Sequence, residues 1–324
     1  MKQAKHMFII VLAAVGVIAA MMMGLKFAFS RMVSAAKPQL PAPIAPMQPA
    51  EVRVKVEERN AAPLENGAVV AASDAVAIVC GNGANVDRYE TRNGALRSIA
   101  RRRDLPKEDV AALMDYLAST KDAMRVERVA ALKNDVMNLL RNQEPPVESL
   151  AETLIAMFDC GAHPPAVLDY CIQHLGAMQG GLNDTARRRV LAVLAMAAAR
   201  KGQSYAGTAL YSLAADRCAT SAQNAELKRL ALAMCAADSN PAARIAAVQL
   251  AGERGYAEAL PILRKVLSSP RRDAVLDIVA IGSIGLLGDF SDISRLSHFM
   301  KCDSRRAPAA EAAIRRINER SGVK

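Results

Sequence analysis

Residues 240–267 read NPAARIAAVQLAGERGYAEALPILRKVL. Asn240-Pro241 predicts a helix start, because a proline in the first turn has no helical amide bond to lose. Ile245, Val248 and Leu250 give that helix a buried face, Gly255 ends it, and Pro261-Ile262-Leu263 begins the buried face of a second helix. A shift of 33 residues lays Ala247 on Ala280 and Ala313, Gly255 on Gly288, Leu260 on Ile293 and Leu263 on Leu296. A fixed period of that length predicts stacked units, since one helical pair is too small to bury its own apolar stripe and must lean on its neighbours. The third copy would hold one helix only.

Upstream, residues 87–239 carry the same helical period without the clear repeat. Asn93–Arg103, Lys107–Ala118, Ala123–Asn142, Val147–Cys160, Ala166–Met178, Thr185–Ala199, Ala206–Cys218 and Glu226–Ala237 each place apolar residues three and four apart. They break at Pro106, Pro145-Pro146, Pro164-Pro165, Gly180-Gly181, Gly202 and Asn240-Pro241, the residues that helix ends prefer. The expected fold is all-α, a solenoid of helical hairpins, with divergent repeats over 87–239 and regular ones over 240–324. The chain of 324 residues is 52% hydrophobic yet only 4% aromatic, with no Trp, which argues against a β-sandwich or barrel.

The N-terminal quarter reads differently. Met7–Leu25 is 19 apolar and Gly residues without interruption, flanked by Lys2, Lys5, Lys26 and Arg31, long enough to cross a bilayer as one helix. That length favours an uncleaved anchor over a signal peptide, although Val33-Ser34-Ala35 has the form of a cleavage site. Residues 1–6 make a short basic stub, most easily kept in the cytoplasm. The expected location is therefore the cytoplasmic membrane, single-pass, with the C-terminal part outside and periplasmic in a cell with two membranes. Gly16, Ala20 and Gly24 recur every four residues and would let a second copy approach the anchor, giving a homodimer. Residues 26–86 are read as a linker and irregular segment: five prolines between Pro38 and Pro49 favour extended polyproline II, and Val52, Val54 and Val56 alternate with Arg53, Lys55 and Glu57 as one short strand would. Five of the 42 basic residues and none of the 32 acidic ones lie in the first 50, leaving 37 against 32 for the rest.

Asn240-Pro241-Ala242-Ala243-Arg244-Ile245-Ala246-Ala247 and Leu287-Gly288-Asp289 resemble the bacterial HEAT repeats, including the short phycobilisome-lyase-like type. The resemblance covers about residues 240–317, is weaker over 87–237 and is absent before that. It implies a solenoid with a binding surface and names no ligand, because such arrays serve as scaffolds, adaptors, bilin-handling lyases and DNA glycosylases. One departure is that Asp277 stands 33 residues after Arg244, an acid where the repeat has a base.

Chemistry-bearing residues are few. Cys160, His163, Cys171 and His174 form C-x2-H-x7-C-x2-H, a thiolate and imidazole set of the kind zinc takes. The same cysteines, with Cys80, Cys218, Cys235 and Cys302, could form disulfides in an exported domain or pack as small buried hydrophobes. Gly81-Asn82-Gly83 lacks the Lys and Ser or Thr of a phosphate loop and reads as a turn. Arg101-Arg102-Arg103, Arg187-Arg188-Arg189 and Arg271-Arg272 recur near expected helix ends, with Arg305-Arg306 and Arg315-Arg316 beyond them. Lining one edge they would attract an anionic polymer or lipid headgroups; dispersed among Asp and Glu they would be a solvated surface. No motif implies a cofactor, and no His has a neighbour set with a catalytic rationale. The leading reading is a membrane-tethered scaffold or adaptor that binds another protein and does not bind nucleic acid. An anion-binding repeat protein is the alternative, and a metal-dependent or lyase-like enzyme the second.

Overall fold

The computed structural model describes residues 72–322 apart from 84, 237 and 270–272, all within one compact unit, Glu65–Lys324. The expected anchor, the Pro-rich stretch and the Val52–Val56 strand lie outside the described residues. Among the described residues every regular element is a helix, and none is long and apolar enough to cross a membrane.

In chain order the helices are α1 (Ala72–Val79), α2 (Tyr89–Ile99), α3 (Lys107–Ala118), α4 (Val126–Arg141), α5 (Leu150–Cys160), α6 (Pro165–Met178) and α7 (Asp184–Ala199). They continue with α8 (Tyr205–Ala214), α9 (Ser221–Met234), α10 (Pro241–Glu253), α11 (Leu260–Leu267), α12 (Ala274–Leu287), α13 (Ile293–Cys302) and α14 (Ala307–Arg320). Helix α1 falls inside the segment read as irregular; at eight residues it is too short to show a period. Each odd-numbered helix packs on the even-numbered one that follows it, from α1 on α2 to α13 on α14. The even helices α2 to α14 touch one another in sequence as one row, and α1, α3, α5, α7 and α9 form a second row beside it. Two rows of antiparallel pairs bury the apolar stripes that no pair could bury alone.

The period of 33 residues is present, but its phase differs from the expected one. Helix α10 packs on α9 and α11 packs on α12, while α10 and α11 meet through the short turn Ala257–Ala259. The pairs are therefore α9/α10, α11/α12 and α13/α14, so α14 completes a pair and no unit boundary falls at 239/240. A period fixes the length of a repeat and leaves its starting point free. Ala247, Ala280 and Ala313 occupy equivalent buried positions in α10, α12 and α14, and Leu263 and Leu296 are buried in α11 and α13. Ile245 is only half-buried.

Local chemistry explains the ends. Asn240 Oδ1 accepts from the amides of Ala242 and Ala243, and Asp273 Oδ1, one period later, from those of Val275 and Leu276; both satisfy first-turn donors that the helix leaves open. Gly255 follows α10 with φ +70°, the left-handed region. Gly288, one period on, is extended, and glycine is needed there because a Cβ would lie 2.7 Å from the Ile284 carbonyl oxygen. At the other pole, basic side chains of even helices reach the last carbonyls of the preceding odd helix. Arg92 Nε donates to Val79 O at 2.8 Å, Lys133 Nζ to Leu117 O at 2.8 Å and to Ser119 O, and Arg244 Nε to Cys235 O at 3.0 Å, where the helix dipole favours a cation.

The even row is held by small residues at its crossings. A Cβ added at Gly252 would fall 2.9 Å from Ser283 Cα, and one at Gly285 would fall 2.8 Å from Ala313 Cα. Gly207 meets Ala243 and Ala246 in the same way, and Gly176 meets Ser212. Backbones at these crossings approach as closely as a Cα hydrogen allows.

Candidate functional site

The four residues read as metal ligands do not assemble into a ligand set. Among the described residues no group of three or more His, Cys, Asp or Glu side chains could hold a metal ion. Cys160 is exposed at the end of α5, its Sγ donating to Met157 O at 3.2 Å. Cys171 and His174, on α6, point into the contact with α4, where His174 Nε2 lies 3.1 Å from Asn134 Oδ1. His163 is buried in the loop before α6. The cation of this region is the ammonium of Lys133, 2% exposed, within electrostatic range of Cys160, Cys171 and His163. Burial pushes its pKa down to about 8, with Cys171 and Asp122 opposing, and pushes the Cys171 thiol up to about 12. Burial first, and then the Arg141 charge, lowers His174 to about 4. A thiol held as a thiol is neither nucleophile nor ligand, and the Lys133 ammonium is held by the carbonyls of Leu117 and Ser119. The five described cysteines, Cys80, Cys160, Cys171, Cys218 and Cys235, are free, so none of them forms a disulfide.

The arginine runs are likewise divided. Arg103 pairs with Glu144 at 2.6 Å, Arg187 with Asp216 at 2.5 Å and Arg189 with Glu152 at 2.5 Å. Arg101, Arg102 and Arg188 are exposed, and Arg271 and Arg272 lie outside the described residues. Arg92–Asp122, Arg187–Asp216, Lys228–Glu258 and Arg264–Asp292 join a base to an acid 28 to 30 residues further on. Four of the basic residues thus reach from a helix to a later interhelical turn.

A different surface stands out. The even helices α6, α8, α10 and α12 carry Asp169, Arg244, Glu253 and Asp277 as their only charged residues, whereas α7 alone has four. Asp169 accepts from Thr208 Oγ1 at 2.6 Å, and Asp277 is buried. Val275, Ile278, Gly282 and Leu286 follow one another at helical spacing along the outer face of α12, and the three large ones are exposed. With Phe290 just beyond the helix they make up four of the seven exposed large apolar side chains among the described residues, so the exposure is gathered and not scattered. A Cβ at Gly282 would meet nothing within 4 Å; this glycine serves no crossing inside the array. Sequence reading missed the face because AVLDIVAIGSIGLL is apolar all round, and such a helix reads as wholly buried.

No family model, curated protein or solved structure matches this chain.

Proposed function

We propose that the protein is a membrane-tethered helical-repeat scaffold, HEAT-like in its repeats, whose outer α12 face holds a partner protein outside the cytoplasmic membrane. The observation that carries the reading is the gathered exposure of Val275, Ile278, Leu286 and Phe290 on and just beyond α12, the last of four successive even helices poor in charge, the profile of an interface core. Residues 7–25 supply the tether, being apolar over a bilayer's thickness. The pairing of Arg103, Arg187 and Arg189 with carboxylates leaves less free positive charge for an anionic polymer, which ranks that reading second.

The test places a photo-crosslinking residue at Ile278 of the full chain and, separately, at Arg188, and irradiates intact membranes. The expected result is a discrete polypeptide adduct from position 278 that disappears when Leu286→Glu is added, with the chain remaining in the alkaline-washed membrane fraction until residues 7–25 are deleted. An adduct from 188 and none from 278 would move the interface to the charged row.

A further inference from the structure

Ser294, Arg295 and His298 follow Ser291 by three, four and seven residues, the spacing that gathers side chains on one face of a helix. The short turn Phe290–Asp292 carries Ser291 and leads directly into α13, which carries the rest. All four line a groove between α11 and α13, together with Leu267, Ser268 and Phe299. The groove holds about 460 Å³, within the range of small-molecule sites. Leu267 and Phe299 are buried and give it an apolar floor; the rest of its lining is polar, and no carboxylate belongs to it.

Arg295 is a charge that the fold leaves largely unspent. The one acid paired with it among the described residues is Asp292, whose Oδ1 lies 3.5 Å from Nη1. Asp292 is 1% exposed and is already held by Arg264, Nε to Oδ1 and Nη2 to Oδ2, each at 2.8 Å. Its carboxylate is thus satisfied without Arg295, whose planar fork of N–H donors remains open toward the groove. Hydroxyls stand beside that fork. Ser291 Oγ accepts from Arg264 Nη2 at 3.5 Å and so keeps its own proton to give. Ser268 Oγ, on the α11 side, donates to Arg264 O at 3.0 Å and keeps its lone pairs as acceptors.

We propose that this groove binds a phosphorylated polyol. Its phosphoryl oxygens are taken by the Arg295 fork and by the Ser291 and Ser294 hydroxyls, its own hydroxyls donate to Ser268, and its carbon chain lies over Leu267 and Phe299. The chemistry follows from the lining. A cation would meet Arg295 with no lining carboxylate to offset it, and a neutral polyol would leave the guanidinium unpaired. A carboxylate holds its two oxygens in one plane, enough for the fork alone. A tetrahedral phosphoryl group points its oxygens in different directions and engages the fork and the hydroxyls together. Such a group occurs in a free glycerol or sugar phosphate and in the headgroup of an anionic phospholipid. The site uses none of the residues of the α12 face and does not rest on the scaffold reading.

The experiment titrates the full chain, in a non-ionic detergent, with glycerol phosphate, with dihexanoyl phosphatidylglycerol and with glycerol, and reads binding by calorimetry. The expected result is saturable binding of a phosphorylated probe and none of glycerol over the same concentrations. Arg295→Gln should weaken that binding about tenfold, the weight of one charge-assisted contact. Arg264 still holds Asp292 in this variant, so the fold is kept. Ser294→Ala should weaken binding by a smaller, measurable factor. Arg188→Gln removes the same charge from an exposed position on α7 and should leave binding unchanged. Tighter binding of glycerol phosphate assigns the groove to a free phosphate ester; tighter binding of phosphatidylglycerol assigns it to a lipid headgroup. Arg295→Gln binding no more weakly than Arg188→Gln, glycerol binding as well as glycerol phosphate, or no saturable binding of either phosphorylated probe would overturn the proposal.

Discussion

Asp277 and Arg306 form a buried ion pair across the α12/α14 contact, Oδ2 to Nη2 at 2.8 Å, with side chains 2% and 10% exposed. Asp277 stands where the preceding repeat has Arg244, and α14 begins with the arginine that answers it. The departure from the repeat pattern is thus compensated 29 residues later. Arg306 also pairs with Asp303, so removing Asp277 takes away one of two charge-assisted contacts of that guanidinium, at about 1.5–3 kcal/mol. Asp277→Asn should therefore lower the urea midpoint markedly, and Asp277→Leu combined with Arg306→Leu should restore most of it. A double variant no more stable than the single one would show that the pair is not coupled.

The four glycines of the even row and the open glycine of α12 make opposite predictions from one substitution. Gly→Ala in a helix ordinarily gains about 1 kcal/mol. At Gly282 the Cβ meets nothing, so Gly282→Ala should raise the melting temperature. At Gly285 the Cβ would collide with Ala313 Cα, and overpacking of about 1–3 kcal/mol outweighs the gain, so Gly285→Ala should lower it. Equal shifts in the two variants would contradict the close crossing.

Lowering the pH should loosen the α4/α6 contact. The His174 pKa falls from 6.5 to about 4 on folding, so between those values the unfolded chain binds the proton and the folded one does not. Stability is full above pH 6.5 and is lost as the pH falls toward 4, by about 2 kcal/mol at pH 5 from 1.36 kcal/mol per unit. His174→Gln, which keeps a donor for Asn134, should lose this part of the dependence. Denaturant midpoints at pH 7 and pH 5 that move equally in both proteins would assign the effect to other groups.

Depth should decide the cost of a charge on neighbouring helices. Leu263 is fully buried in α11 and Ile278 is exposed on α12. Leu263→Asp should cost several kcal/mol, while Ile278→Asp should stay within about 0.5 kcal/mol in thermal melts. If both variants melt alike, the assignment of inner and outer faces fails.

Helix existence was legible along most of the described array because Pro and Gly punctuate it; Lys107–Ala118 is read to the residue, and Thr185–Ala199 starts one residue late. Pairing was not legible, since Ala247, Ala280 and Ala313 report a period without saying which neighbour each helix prefers. Cys171 and His174 lie three apart on the buried side of α6, but what they face is set by Lys133 and Asn134 of α4, 38 and 40 residues earlier.

The small-residue crossings of the even row also set how the array can deform. Where Gly252 meets Ser283 and Gly285 meets Ala313, only a glycine hydrogen and one small side chain separate the helices, so that edge behaves like an inextensible strap. On the opposite edge α9, α11 and α13 make little direct contact with one another and are linked in part by side-chain ion pairs such as Lys228–Glu258 and Arg264–Asp292. Flexing should therefore fan the charged edge open and shut around a hinge line that runs through α10, α12 and α14. A partner seated on α12 would ride on that hinge line, where the surface changes least as the array bends.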